Sequence, residues 1–171
     1  MIGAVVLAAG AATRFGAPKQ RLLLPAVLER LTGVDQVVVV AGAHPVEGAV
    51  QCPDWELGPG ASLRCGLAAL DAGVEAAVVV LADGPDLAPA AIERVLGAWR
   101  ETGSALVAAS YGGVRGHPLV IARVAWADIP DEGLRAREPL LVPCDDLGPP
   151  GDVDFPDDLP ERFRSVPGEP M

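Results

Sequence analysis

Three five-residue runs, Ala4–Ala8, Val37–Ala41 and Ala77–Leu81, contain nothing but Ala, Val and Leu. A strand without a polar side chain has no face to offer water, so each run must be covered on both sides. Between the runs the periodicity changes. Leu63, Leu67 and Leu70 fall on one helical face, as do Ile92, Val95, Leu96 and Trp99 at i, i+3, i+4 and i+7. Buried strands alternating with helices predict an α/β fold: a Rossmann-like, doubly wound, mostly parallel sheet with helices on both faces. Aromatic residues make up only 4% of the chain, so the core must be built from Val, Leu, Ile and Ala.

Further strands are expected at Ala105–Ala109 and Pro118–Ile121. A helix of about Pro25–Leu31 is expected with Pro in its first turn. Ser62 is the expected N-cap of the Leu63–Leu70 helix, which Gly73 ends. Asp86 is the expected cap of the next helix, which Gly103 ends. Pro156–Phe163 reads as a short final helix. No internal repeat or long linker divides the 171 residues, so one domain over 1–171 is expected.

The formal net charge is −10. A nucleic-acid binder carries a basic stripe, so polymer DNA or RNA is not an expected partner. No apolar run approaches the roughly 20 residues of a membrane span. The apolar N-terminus lacks the basic region of a signal peptide, and Arg14 follows it at once. Cys52, Cys65 and Cys144 form no CxxC motif and read as reduced thiols of a cytoplasmic protein.

In an open α/β sheet, ligands bind beyond the carboxyl ends of the strands. The first strand runs into Leu7-Ala8-Ala9-Gly10, then Ala11, Ala12, Thr13 and Arg14. Small residues let backbone N–H groups approach an anion, and Arg14 adds charge. The spacing is neither Walker A nor GxGxxG. Twelve of the thirteen basic residues are arginines, and the single lysine, Lys19, follows this loop. Asp83 emerges from the most apolar strand. A hard carboxylate beside a triphosphate is how proteins hold Mg²⁺. Arg64, read in the first turn of its helix, conflicts with the macrodipole unless an anion lies nearby. Ser62 lacks the glycine that a nucleophile elbow needs two residues on, and nothing pairs His44 or His117 with a nucleophile.

Taken together, Leu7 to Lys19 read LAAG-x3-R-F-G-x2-K, which resembles the signature loop of the MobA-like NTP transferase family and is closest to its molybdenum-cofactor cytidylyltransferase branch. More motifs similar to the family's follow in order. These are Pro53-Asp54-Trp55 with Gly58 to Leu67, Leu81-Ala82-Asp83-Gly84-Pro85, Gly116-His117-Pro118, Asp131 to Arg135, and Asp152 to Leu159. The resemblance implies a fold of the nucleotide-diphospho-sugar transferase type. It implies that Leu7, Ala8, Ala9 and Gly10 face the nucleotide, with Gly60, Ser62 and Leu63 near base and ribose. Arg14 and Lys19 would neutralise the phosphates. Asp83 and Asp154 would ligate Mg²⁺, and Gly116, His117 and Arg135 would lie on the acceptor side.

The implied reaction transfers the nucleoside monophosphate of an NTP, with CTP favoured by LAAG, to a phosphorylated small molecule such as molybdopterin. A phosphate monoester attacks the α-phosphorus and pyrophosphate departs. The nucleophile is already anionic, so positioning and charge stabilisation suffice without a general base. Two alternatives are a transferase using GTP or another NTP with a sugar or polyol phosphate, and a nucleotide-binding protein without turnover. The family has a longer stretch after Lys19, so the helix there is expected to be cut short.

Overall fold

The computed structural model describes residues 1–10, 19–153 and 156–164. The three apolar runs are strands β1 (Ile2–Ala8), β2 (Gln36–Ala41) and β4 (Ala76–Leu81), with a two-residue β3 (Val50–Gln51) between the last two. β5 (Leu106–Tyr111), β6 (Val114–Ala122) and β7 (Leu140–Pro143) complete one seven-stranded sheet of order β3-β2-β1-β4-β6-β5-β7. All neighbouring pairs are parallel except those made by β6, which runs against both β4 and β5. β3 and β7 are too short and too exposed to leave a periodic signal in the sequence.

Strand geometry divides the apolar runs between two cores. Val6, Val78 and Val80 face one side, where α3 (Pro89–Thr102) contributes Ile92, Val95 and Leu96. Val5 and Val79 face the other, against Leu63 and Leu67 of α2 (Pro59–Ala68), with Ile129 and Leu134. In β1 and β4 alternate residues therefore point to opposite sides and both sets are buried, which is why these runs contain no polar residue. In β2, Val38 and Val40 are buried but Val37 is 43% exposed, against the expectation of cover on both sides. Gly103 closes α3 in the left-handed conformation expected of a C-cap (φ 65°).

Several expected boundaries move. Helix α1 spans Lys19–Glu29 and holds Pro25 inside it, so it begins six residues earlier than the proline signal implied and is not cut to a single turn. The missing N–H and the bulk of Pro25 cost one hydrogen bond, and buried Leu23, Leu24 and Val27 anchor the helix around it. α2 begins at Pro59 with Gly58 as N-cap, which puts Ser62 inside the helix, only 3% exposed. Ala88 caps α3. Asp86 instead accepts a 2.8 Å bond from Arg162, while its N–H donates to the Pro150 carbonyl. The Pro156–Phe163 segment forms two separate 3-10 turns, Pro156–Asp158 and Glu161–Phe163. Among the described residues no helix is long and apolar enough to cross a membrane.

In place of three thiols, Cys52 and Cys65 are joined by a disulfide, and Cys144 is free and buried. Cys52 follows β3 and Cys65 lies in α2. The crossover from β3 back along α2 brings their Cα atoms to 5.9 Å, a proximity invisible in a 13-residue separation. Removing a crosslink over a loop of this length is expected to cost about 3 kcal/mol. Urea titration with and without reductant should show that loss in the wild type and no reductant effect in a Cys52→Ala/Cys65→Ala variant. An unchanged wild-type midpoint would mean that the bond contributes nothing.

Candidate active site

The carboxyl ends of β1 and β4 lie side by side. Leu7 pairs with Leu81, and the Ala82 N–H donates to the Leu7 carbonyl at 3.0 Å. The Ala8-Ala9-Gly10 turn is thereby set beside the Ala82-Asp83 turn, with Ala8 and Ala9 buried and Gly10 exposed. β2 approaches from the other side. A Cβ on Gly42 would stand 2.6 Å from the Ala9 carbonyl oxygen and equally close to the Trp55 ring, so only glycine allows this junction. Gly42 and Trp55 had only weak sequence signals, a strand terminator and one letter of a motif.

Asp83 is half-buried at the end of β4, and its backbone carbonyl accepts a 3.3 Å bond from the Val153 N–H. The chain entering Asp154 is thus held against Asp83. Arg14 and Asp154 lie outside the described residues, as does the Lys19 side chain; the Lys19 backbone opens α1. Among the described residues no group of three or more His, Cys, Asp and Glu could hold a metal ion.

The Gly116-His117-Pro118 motif falls within β6, at an irregularity. Leu119 pairs with Ala108 and Arg115 with Ser110, so three residues of β6 face the single Ala109. Pro118 has no N–H for the ladder, and pairing with β4 stops at Leu119. The bulge carries His117 towards the end of β4, where it feels the Asp83 charge. The Tyr111 hydroxyl donates to the His117 carbonyl at 2.7 Å and pins the bulge; burial pushes its own pKa up to about 12. A cavity of about 500 Å³ opens here, lined by Leu81, Gly84, Arg115, His117, Pro150 and Asp152 among others. Tyr111, which also lines it, was not singled out in the sequence, although it is the chain's one tyrosine.

Burial, reinforced by the neighbouring Arg115 cation and opposed by Asp83, pushes the His117 pKa down to about 4. His117 is therefore a neutral imidazole at pH 7. Between pH 6.5 and 4 the unfolded chain binds a proton that the folded chain refuses, so this group adds nothing above pH 6.5 and costs stability as the pH falls towards 4. At pH 5 the cost is about 1 to 2 kcal/mol, allowing for partial exposure. Urea titrations at pH 7 and pH 5 should show a smaller acid-side loss for His117→Gln than for the wild type. Parallel losses would show that His117 is not the group responsible.

On the opposite face, Arg64 lies in the second turn of α2, not the first. Its guanidinium donates to the Ile129 carbonyl and to Asp131 Oδ1, so the anion near this cation is the chain's own carboxylate. Leu63 packs into the α2-side core beside Leu67. Arg135 is exposed on the segment that follows Asp131, and Arg115 holds that segment through the Leu134 and Arg137 carbonyls at 3.0 and 2.7 Å.

A mostly parallel sheet whose glycine-ended first strand and acidic turn meet at the carboxyl edge fits a nucleotidyltransferase. The chain belongs to the MobA-like NTP transferase domain family, whose model matches residues 4–138. Among solved structures, Rv0371c from Mycobacterium tuberculosis H37Rv is 29% identical, with 92% of this chain and 94% of that one covered at a TM-score of 0.71. A homologue of Rv0371c from Mycobacterium sp. strain JC1 is 26% identical, with 92% of each chain covered at 0.72. Rv0371c in complex with manganese is 28% identical, with 92% and 95% covered at 0.67. No curated protein matches.

Proposed function

We propose that this chain, as one domain over residues 1–171, transfers the nucleoside monophosphate of CTP to a phosphorylated small molecule of the molybdopterin kind and releases pyrophosphate. The observation that carries the reading is the convergence at the carboxyl edge. The Ala82 N–H bonds the Leu7 carbonyl, and the Val153 N–H bonds the Asp83 carbonyl. This brings the nucleotide turn, the acidic turn and the chain leading into Asp154 to one place.

In this reading Leu7 to Gly10 offer backbone N–H groups to the triphosphate, and Arg14 and Lys19 neutralise it. Gly60, Ser62 and Leu63 lie towards base and ribose. The LAAG form of the loop is the feature that favours CTP. Asp83 and Asp154 are the residues that would hold Mg²⁺. Two hard carboxylates suit an ion that takes few protein ligands, and the M. tuberculosis relative in complex with manganese supports a divalent metal. Bound there, the ion would offset negative charge on the phosphates. The acceptor enters from the side of Gly116 and His117, into the cavity under the β6 bulge, with Arg135 on the neighbouring segment that Arg115 holds. His117, neutral at pH 7, serves there as a hydrogen-bonding group and not as a cation. NTPs are cytoplasmic metabolites, so a cytoplasmic place goes with this reading; the Cys52–Cys65 bond is the feature that argues against it.

The test is pyrophosphate release with each of the four NTPs and Mg²⁺, using molybdopterin and a panel of sugar and polyol phosphates as acceptors. Release with CTP and molybdopterin would support the reading in full. Another productive pair would change the substrates and keep the chemistry. Tight calorimetric NTP binding without release from any pair would favour a non-catalytic nucleotide-binding protein.

A further inference from the structure

Two motifs some 70 residues apart, the α2 start at Gly58 and the segment after Ile129, are packed into one body. The Gly60 N–H donates to the Asp131 carbonyl at 2.8 Å. A Cβ on Gly58 would stand 2.3 Å from that same oxygen, and one on Gly60 would stand 1.7 Å from the Pro130 carbonyl oxygen. No side chain fits between the two backbones. Arg64, one turn further along α2, adds a side-chain lock through the Ile129 carbonyl and the Asp131 carboxylate. From the far side Arg115 of β6 holds the Leu134 and Arg137 carbonyls.

Resting on the function proposed above, we infer that Arg64 is a positioning residue: by joining Asp131 and Ile129 to α2 it fixes the acceptor-side segment 129–135 relative to the nucleotide-side residues Gly60–Leu63. The guanidinium is suited to this because its planar fork serves a carboxylate and a carbonyl at once, whereas a lysine ammonium would serve the carboxylate as a point charge. With the lock removed, the backbone contact at Gly60 keeps the nucleotide side in place, and the acceptor segment samples arrangements that do not bind acceptor. The apparent acceptor affinity then falls by the fraction of molecules still competent. The rate from the filled complex changes little, because the bonds lost are those to Ile129 and Asp131 and none made by Asp83 or the nucleotide turn.

The experiment compares steady-state kinetics and thermal midpoints of the wild type, Arg64→Ala, Arg64→Lys, Asp131→Ala and the Arg64→Ala/Asp131→Ala double variant. Arg64→Ala is expected to raise the acceptor KM about tenfold, with kcat and the NTP KM within about threefold of wild type. Arg64→Lys should fall between, and the double variant should be no worse than the more damaging single one, because the two residues act through one contact. A lowered thermal midpoint with an unchanged acceptor KM, or equal rises in both KM values, would overturn the inference while leaving the proposed reaction intact. Absence of turnover in the wild type with every pair would overturn the reaction and this inference together.

Discussion

Asp83→Ala is expected to reduce pyrophosphate release by about a hundred- to a thousandfold, the loss seen when one charge-stabilising group is removed from a site of this kind. The fold should survive. It is the Asp83 backbone carbonyl that accepts the Val153 bond, and alanine keeps that carbonyl. The strand behind it, Ala76–Leu81, is anchored by buried Val78, Val79 and Val80, none of which the substitution touches. Activity loss at a thermal midpoint within a few degrees of wild type would therefore separate chemistry from stability. Transfer within tenfold of wild type would remove Asp83 from the reaction. The loss should appear in kcat/KM with every productive acceptor, because the carboxylate is proposed to act at the phosphates that all acceptors share.

Gly60→Ala is the second large effect, and it is a stability effect first. The added methyl would meet the Pro130 carbonyl oxygen at 1.7 Å and the Gly133 nitrogen at 2.8 Å. Both are backbone atoms, so no side chain can swing aside and the 130–133 turn must lift from α2. That breaks the bond from the Gly60 N–H to the Asp131 carbonyl and strains the Arg64 lock. A loss of about 3 kcal/mol is expected in urea titration, at the upper end for forced overpacking. Gly97→Ala is the control. Gly97 lies inside α3 with nothing within 4 Å of its missing Cβ, so alanine there should stabilise by about 0.5 to 1 kcal/mol. Equal effects at the two positions would show that the close approach at Gly60 is not what the glycine serves.

Much of the architecture was legible in the chain, and for a definite reason. β1, β2 and β4 hold the three runs without polar residues. β1 and β4 have a core on each side, whereas β2, flanked by the two-residue β3, buries Val38 and Val40 and leaves Val37 43% exposed. Burial on both faces leaves a continuous apolar run. α3 was legible because its inward stripe repeats at helical spacing and a left-handed glycine ends it. The elements that were misread carry weaker or contrary signals. Pro25 announces a helix start but sits in the second turn of α1, where packing of Leu23, Leu24 and Val27 outweighs its local cost. Ser62 is a good N-cap by type, yet the helix had already begun at Pro59, because Gly58 and Gly60 must meet the Asp131 turn.

The sequence by itself determined the fold class, the central strands and the order in which the glycine loop, Asp83 and Gly116-His117-Pro118 follow one another along the chain. Those are local properties, written in apolar runs, periodicity and turn residues. Only the tertiary structure decided who meets whom. It joined Cys52 to Cys65, gave Arg64 the Asp131 carboxylate in place of a bound anion, folded His117 over the end of β4 on a three-residue bulge, and took Asp86 from a helix cap to a partner of Arg162. Each is a contact between residues far apart in the chain, set by strand order and crossover direction, and no local pattern encodes which distant carbonyl or carboxylate a side chain will reach.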